Sequence, residues 1–348
     1  MDSSLLDALG PSTRTIVTKE YWDANEVKRL NNLSIDLAPF WEYYSNTCRQ
    51  ALHDGGRHNA VRSHADVIDV IRMLKLGLFR EQIRATLRSK LSKKHDNEAE
   101  LLDNSINLAA SLLLMCDFGV TPLSFSGRTE LNWTHGALKA FLADHFNDPP
   151  ILSHEGMKLE KTFLARNLTK IGGIEIIWTD NLVDHLRLSD DDTKVHIFHH
   201  ASFLEYQKHS SETLLPEGLA AETLQTLALL LPATDRKTRR WLSRLTSVDK
   251  RLAHGGRLKT ELRQIERFRF WRDRLVMIKQ TYDEAQPKTL TQWWHDRRNG
   301  VQWYTFWVAI LVLTDYRVWL DPERGRGASG LCVFQISRWL MRHSGLMK

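Results

Sequence analysis

A chain of 348 residues, 42% hydrophobic and 26% charged, is too long for one small core and too apolar to be disordered throughout. Cys48, Cys116 and Cys332 are far apart, odd in number and in no metal-ligand spacing. That excludes a disulfide framework and fits a reducing compartment. The net charge of +6 is unevenly placed: residues 1–235 carry 24 Lys/Arg against 32 Asp/Glu, residues 236–300 carry 18 against 7, and residues 301–348 carry 6 against 3.

The opening MDSSLLDALGPSTRT has no basic region followed by an apolar one, so no secretory signal is read and an intracellular location is expected. Residues 1–24, punctuated by Gly10 and Pro11, are expected to form a disordered lead-in. Residues 25–130 read as a helical domain. ADVIDVIRMLKLG (65–77) places Val67, Ile68, Ile71, Leu74 and Leu76 largely on one face and stops at Gly77. REQIRATLRSKL (80–91) spaces Ile83, Leu87 and Leu91 four apart, and NEAELLDNSINLAASLLLMCDFG (97–119) is the clearest buried helix, with acids in its first turn.

Residues 131–210 change character. LKAFLADHF (138–146) and KLEKTFLARNLTKIGG (158–173) predict two helices, the second capped by Gly172 and Gly173. IEIIW, DHLRL and KVHIF then predict a small antiparallel β-hairpin sheet at about 174–200, turning through SDDDT because aspartates hydrogen-bond their own backbone there. Residues 211–300 return to helix through LAAETLQTLALLL and TDRKTRRWLSRL, and end in a long basic helix of coiled-coil type at about 257–285. In that helix Leu258, Leu262, Ile265, Phe268, Leu275, Ile278 and Tyr282 recur at steps near three and four. The fold class is therefore mainly α with one small sheet.

Chemistry-bearing patterns are few. His196, His199 and His200, with His185 and Asp190 to Asp192 nearby, invite a metal reading. On a strand, however, His196 and His200 share a face while His199 points away, so no metal or cofactor is assigned. P-loop, G-x-G-x-x-G, G-x-S-x-G and H-E-x-x-H motifs are all missing, no catalytic residue is assigned, and an enzyme stands third among the classes. Two helices followed by a hairpin is the order of winged-helix modules, and Lys158, Lys161, Arg166 and Lys170 would then face phosphate. Asp190, Asp191 and Asp192 on the wing carry the wrong sign for that partner.

The end of the chain gives the preferred reading. Trp293, Trp294, Arg297, Arg298, Trp303, Tyr304 and Trp307 combine amphipathic rings with positive charge, the composition of a membrane interface. The apolar segment that follows is short, since 301–314 holds 14 residues against the roughly 20 that cross a bilayer. Residues 257–314 are expected to meet a membrane surface, and the long helix to pack on protein partners.

Two stretches carry a resemblance: IIWTDNLVDHLRLSDDDTKVHIFHHASFL, and WRDRLVMIKQTYDEAQPKTLTQWWHDRRNGVQWYTFWVAILVL. With their WTDNLxDHL, DDDTKVxIFHHASFL and WWxDRRNGVQWYTFW motifs, they resemble a family of uncharacterised proteins from filamentous ascomycete fungi, over residues 60–314. The resemblance implies an apolar, membrane-embedded final segment and no activity that can be placed on a residue. In that family WYTFW continues as G-L-I-Q-S-x-E-G-A-L-Q-V-Y, and this chain departs at Asp315. Back-translation of 315–337 permits a shifted frame reading IIGSGLIQSVEGALQVYVSFKY. Residues 315–348 are accordingly expected to be an out-of-frame tail, and 301–314 a truncated apolar segment. The resulting expectation is a non-enzymatic protein, membrane-associated or cytoplasmic, with a soluble nucleic-acid- or protein-binding module as the competing class.

Overall fold

A computed structural model of the chain describes residues 4–22, 27–30, 35–91, 96–119, 129–147, 151–152, 156–286, 292 and 300–320. The described residues are mainly helical, with one small sheet of three strands. They divide into two units, Met1–Ala285 and Gln286–Lys348.

The first unit holds eleven labelled helices: α1 (Pro11–Tyr21), α2 (Ala38–Ala51), α3 (His64–Lys75), α4 (Arg80–Lys90), α5 (Glu98–Leu114), α6 (Leu138–His145), α7 (Ala165–Lys170), α8 (Ala201–His209), α9 (Leu219–Leu230), α10 (Arg236–Leu242) and α11 (Arg272–Glu284). One hydrophobic cluster joins them, running from Leu5 to Tyr282. The segments of 25–285 therefore share a common core. Helix α5 lies at the centre of the N-terminal part, packing against α2, α3 and α4, because apolar side chains cover most of its circumference. Helix α3 starts where Ser63 and Asp66 cap each other's backbone, and its chain reverses at Gly77 with φ +73°. Cys48 and Cys116 are buried free thiols, and burial pushes the Cys48 thiol up to about 12 and Cys116 further still, so both are inert.

Four sequence expectations are corrected. The disordered lead-in contains helix α1, since Val17, Tyr21 and Trp22 are buried core residues. Trp22 lies 5.5 Å from Phe40, 6.1 Å from Phe203 and 4.9 Å from Tyr206 between ring centroids, an aromatic cluster formed with residues remote in sequence.

The expected antiparallel sheet is mixed. Strands β1 (Glu175–Thr179), β2 (Leu188–Ser189) and β3 (Lys194–Phe198) lie in the order β1-β3-β2. The hairpin β2–β3 is antiparallel as expected, and Asp190, Asp191 and Asp192 turn it with φ of 54°, 54° and 59°. Strand β1, however, pairs parallel to β3. The intervening chain makes a 3₁₀ turn at Leu182–Asp184, and a short crossover of this kind leaves no periodicity in the sequence.

The long basic helix at 257–285 is replaced by 3₁₀ turns at Thr260–Arg263 and Ile265–Arg267 and by the 13-residue helix α11. Tertiary partners take the backbone groups that a continuous helix would pair internally. Leu159 N–H donates to the Arg263 carbonyl at 2.9 Å, and Ile265 N–H to the Met157 carbonyl at 3.0 Å. The same pairing shortens the helix expected at 158–173 to Ala165–Lys170. The charge of this region is also partly structural. Arg263 is buried, Arg274 donates to the Val183 and His185 carbonyls, and Lys279 meets Glu160 at 3.3 Å and Asp283.

His185 gives this unit a pH dependence. Its Nδ1 accepts from Phe198 N–H at 3.2 Å and its Nε2 faces Thr226 Oγ1 at 2.7 Å, in full burial. Burial, then the Arg274 guanidinium, holds it well below the ordinary histidine range. A lowered folded-state value means the unfolded chain binds more protons in acid, so stability is intact above about pH 6.5 and falls below it, by up to about 1.4 kcal/mol per pH unit. Urea unfolding at pH 7, 6 and 5 should show this loss, with a shallower slope in His185→Gln. Equal slopes in the two proteins would show that His185 is not its source.

The second unit contributes helix α12 (Gly300–Leu320), which runs six residues beyond the 301–314 segment read as truncated. Among the described residues no helix is long and apolar enough to cross a membrane. Residues 321–348, and with them most of the expected out-of-frame tail, lie outside the described residues.

Candidate functional sites

The parallel pairing of β1 with β3 builds the first site. Its register sets Thr179 opposite Phe198, so the next residues, Asp180 and His199, leave the sheet side by side at the carboxyl ends of both strands. His200 follows at the N-cap of α8 and keeps its side chain in the same place. Asp180 Oδ1 lies 3.0 Å from His199 Nε2 and 2.6 Å from His200 Nε2. The two imidazoles stack with centroids 4.0 Å apart and planes 27° from parallel. Trp178 stands edge-on to His199 at 6.4 Å, and Tyr43 edge-on to His200 at 6.1 Å, so packing fixes both rings.

Electrostatically the cluster is two buried imidazoles closed by one carboxylate. Burial pushes His200 down to about 4, against the stabilising bond to Asp180. For Asp180 burial acts upward, yet the two imidazole hydrogen bonds hold its carboxyl well below the usual carboxylate range. The Asp180 side chain is 44% exposed, and His199 and His200 are buried. Together they offer three ligand atoms within 4.8 Å of one another, the group among the described residues that could hold a metal ion.

The rest of WTDNLVDH is structural. Asn181 Oδ1 accepts from Asp117 and Val183 N–H at 3.2 Å each, while its Nδ2 donates to the Thr129 carbonyl at 2.8 Å and to Asp184 at 3.2 Å. Arg187 Nε donates to Asp184 at 2.7 Å. His196, grouped in sequence with His199 and His200, instead meets Ser189 Oγ at 2.8 Å. Sequence reading weighed His199 and His200 but left out Asp180. The available signal was a pair of polar stretches, TDN and HHAS, each directly following a β-rich run, which become neighbours only if the strands are parallel.

The second site is helix α12. Val301, Tyr304, Val308 and Val312 fall on one stripe at steps of three, four and four, and all are exposed, Val301 at 79%. Trp303 and Trp307 lie on the opposite side, each 8% exposed, with ring centroids 6.3 Å apart. Trp293, Trp294, Arg297 and Arg298 lie outside the described residues.

The four cations offered for phosphate are separated. Arg166 and Lys170 are one turn apart on α7, whereas Lys158 and Lys161 lie on the non-helical chain before it. Lys158 pairs across to Gln264 through its backbone. The hairpin turn presents exposed Asp190, Asp191 and Asp192, with Asp190 held at 2.9 Å by Lys194.

Comparisons of the chain with family models, with curated proteins and with solved structures find no match.

Proposed function

We propose that this chain is a non-enzymatic interaction protein seated on the surface of an intracellular membrane. The observation that carries this reading is the two-sided helix α12, with Val301, Tyr304, Val308 and Val312 open on one face and Trp303 and Trp307 buried on the other. An exposed apolar stripe that includes the Tyr304 ring suits a helix lying in the headgroup plane, half immersed instead of crossing. The stretch 236–300, with 18 basic residues against 7 acidic, precedes it in the chain and supplies attraction for anionic lipid of about 1 kcal/mol per basic residue close to the surface. The resemblance to fungal proteins ending in an apolar segment supports the same reading.

Flotation of the full chain with vesicles tests it. Binding is expected to vesicles containing phosphatidylserine, to weaken as salt rises, and to be lost when Val301, Val308 and Val312 are together replaced by serine. Equal flotation of the wild type and the triple variant, or none with either, would sink the reading. Salt-sensitive retention on DNA without flotation would favour the nucleic-acid class instead. Under the same reading residues 315–348 replace an apolar ending. Sequencing of mature transcript across codon 314 checks this, and an uninterrupted frame through Asp315 there removes the idea.

A further inference from the structure

We infer that Asp180, His199 and His200 form a binding site for one divalent transition-metal ion, with Zn²⁺ the ion that best fits its ligand set. Two imidazole nitrogens and one carboxylate oxygen are the mixed N/O donors of three-ligand zinc centres, in which a fourth position is left to water. The donors already converge: both Nε2 atoms face the same Asp180 Oδ1, at 3.0 and 2.6 Å. An ion needs about 2.0–2.2 Å to each donor, so it would occupy nearly the place where that oxygen now sits, and the carboxylate would have to withdraw. Asp180 is the member free to do so, being 44% exposed, whereas the rings of His199 and His200 are held by Trp178 and Tyr43. The rigid ligands are thus buried and the movable one faces solvent, which provides both a path for the ion and room for a bound water.

Charge favours the same outcome. Both Nε2 atoms meet the same Asp180 oxygen, so one carboxylate is shared between the two rings. With a dication bound at both Nε2 atoms, each ring keeps one proton, carried on Nδ1, and the carboxylate stays paired with positive charge. The outer shell limits affinity. His199 Nδ1 and His200 Nδ1 are buried without a hydrogen-bond partner, whereas metal-bound histidines almost always donate their second N–H to an acceptor. Lacking that support costs roughly 10–100-fold in affinity, which points to a site that fills and empties reversibly instead of one holding a permanent structural ion.

The test uses the full chain stripped with chelator and titrated with ZnCl₂ by calorimetry, alongside Co²⁺ followed by its visible d–d absorption. One Zn²⁺ per chain is expected, and the Co²⁺ band should have the intensity of a four- or five-coordinate N/O centre. Asp180→Asn, at the exposed position, should leave the metal-free protein folded, with some loss of thermal midpoint, and weaken Zn²⁺ binding at least tenfold. His199→Gln should abolish the Co²⁺ band. If His199→Gln fails to fold, Asp180→Asn alone decides. Absence of stoichiometric binding by the wild type, or identical titrations for wild type and Asp180→Asn, would overturn the assignment.

Discussion

Replacing Glu222 by alanine is expected to cost about 3–5 kcal/mol of stability, because three backbone donors, that of Trp271 buried and those of Arg269 and Phe270 partly so, lose a charged acceptor together. The Glu222 carboxylate accepts the N–H groups of Arg269, Phe270 and Trp271, each at 2.8 Å, from its buried position on α9. Those residues lead into α11, where the first backbone N–H groups have no partner inside the helix. Burial raises the Glu222 carboxyl, and the three backbone bonds oppose that rise. Trp271 adds a second tie through its indole N–H, which donates to Thr223 Oγ1 at 2.9 Å. Glu222→Gln should fall between wild type and alanine. Its single amide oxygen can still accept, while its amide N–H₂ meets backbone donors with the wrong polarity. Chemical denaturation gives the magnitude, and hydrogen exchange should show the amides of 269–271 deprotected first. A loss below about 1 kcal/mol for Glu222→Ala would mean that water replaces the carboxylate without penalty.

Phe40→Ala should be about as damaging, at roughly 3–5 kcal/mol, the range for removing a large buried ring. Phe40 is the hub of the N-terminal aromatic cluster. Its centroid lies 6.1 Å from Tyr21, 5.5 Å from Trp22, 5.0 Å from Trp41, 6.2 Å from Tyr44 and 5.7 Å from Phe203. Truncation leaves a cavity walled by rigid rings, which collapse poorly around it. Tyr21 and Trp22 would lose a packing partner, so protease should reach α1 sooner than in the wild type. Phe40→Leu, which keeps most of the volume, should recover more than half of the loss. A denaturation midpoint for Phe40→Ala matching the wild type would show that the cluster does not hold α1 in place.

Elements whose hydrogen bonds close locally were legible in the sequence. Helices α3, α4 and α5 follow the apolar spacing of 65–77, 80–91 and 97–119, and the β2–β3 turn follows from three consecutive aspartates. Misreadings arose where a backbone group is satisfied by a remote partner. Apolar steps near three and four across 257–285 suggest one helix. They are equally the steps of residues that face a core from 3₁₀ turns, and the choice was made by Met157, Leu159 and Glu222. Residues 11–22 read as a lead-in because their burial depends on Phe40 and Phe203.

Composition and order along the chain were enough to establish a mainly helical protein, one small sheet near 174–200, and a basic region ahead of a tryptophan-rich apolar segment. These depend on side-chain periodicity and on charge, which are properties of the linear chain. Whether β1 runs with β3 or against it, and hence whether Asp180 meets His199 and His200, required the folded structure. Strand direction is set by how the connection packs against the core, and two residues nineteen positions apart carry no local trace of their meeting.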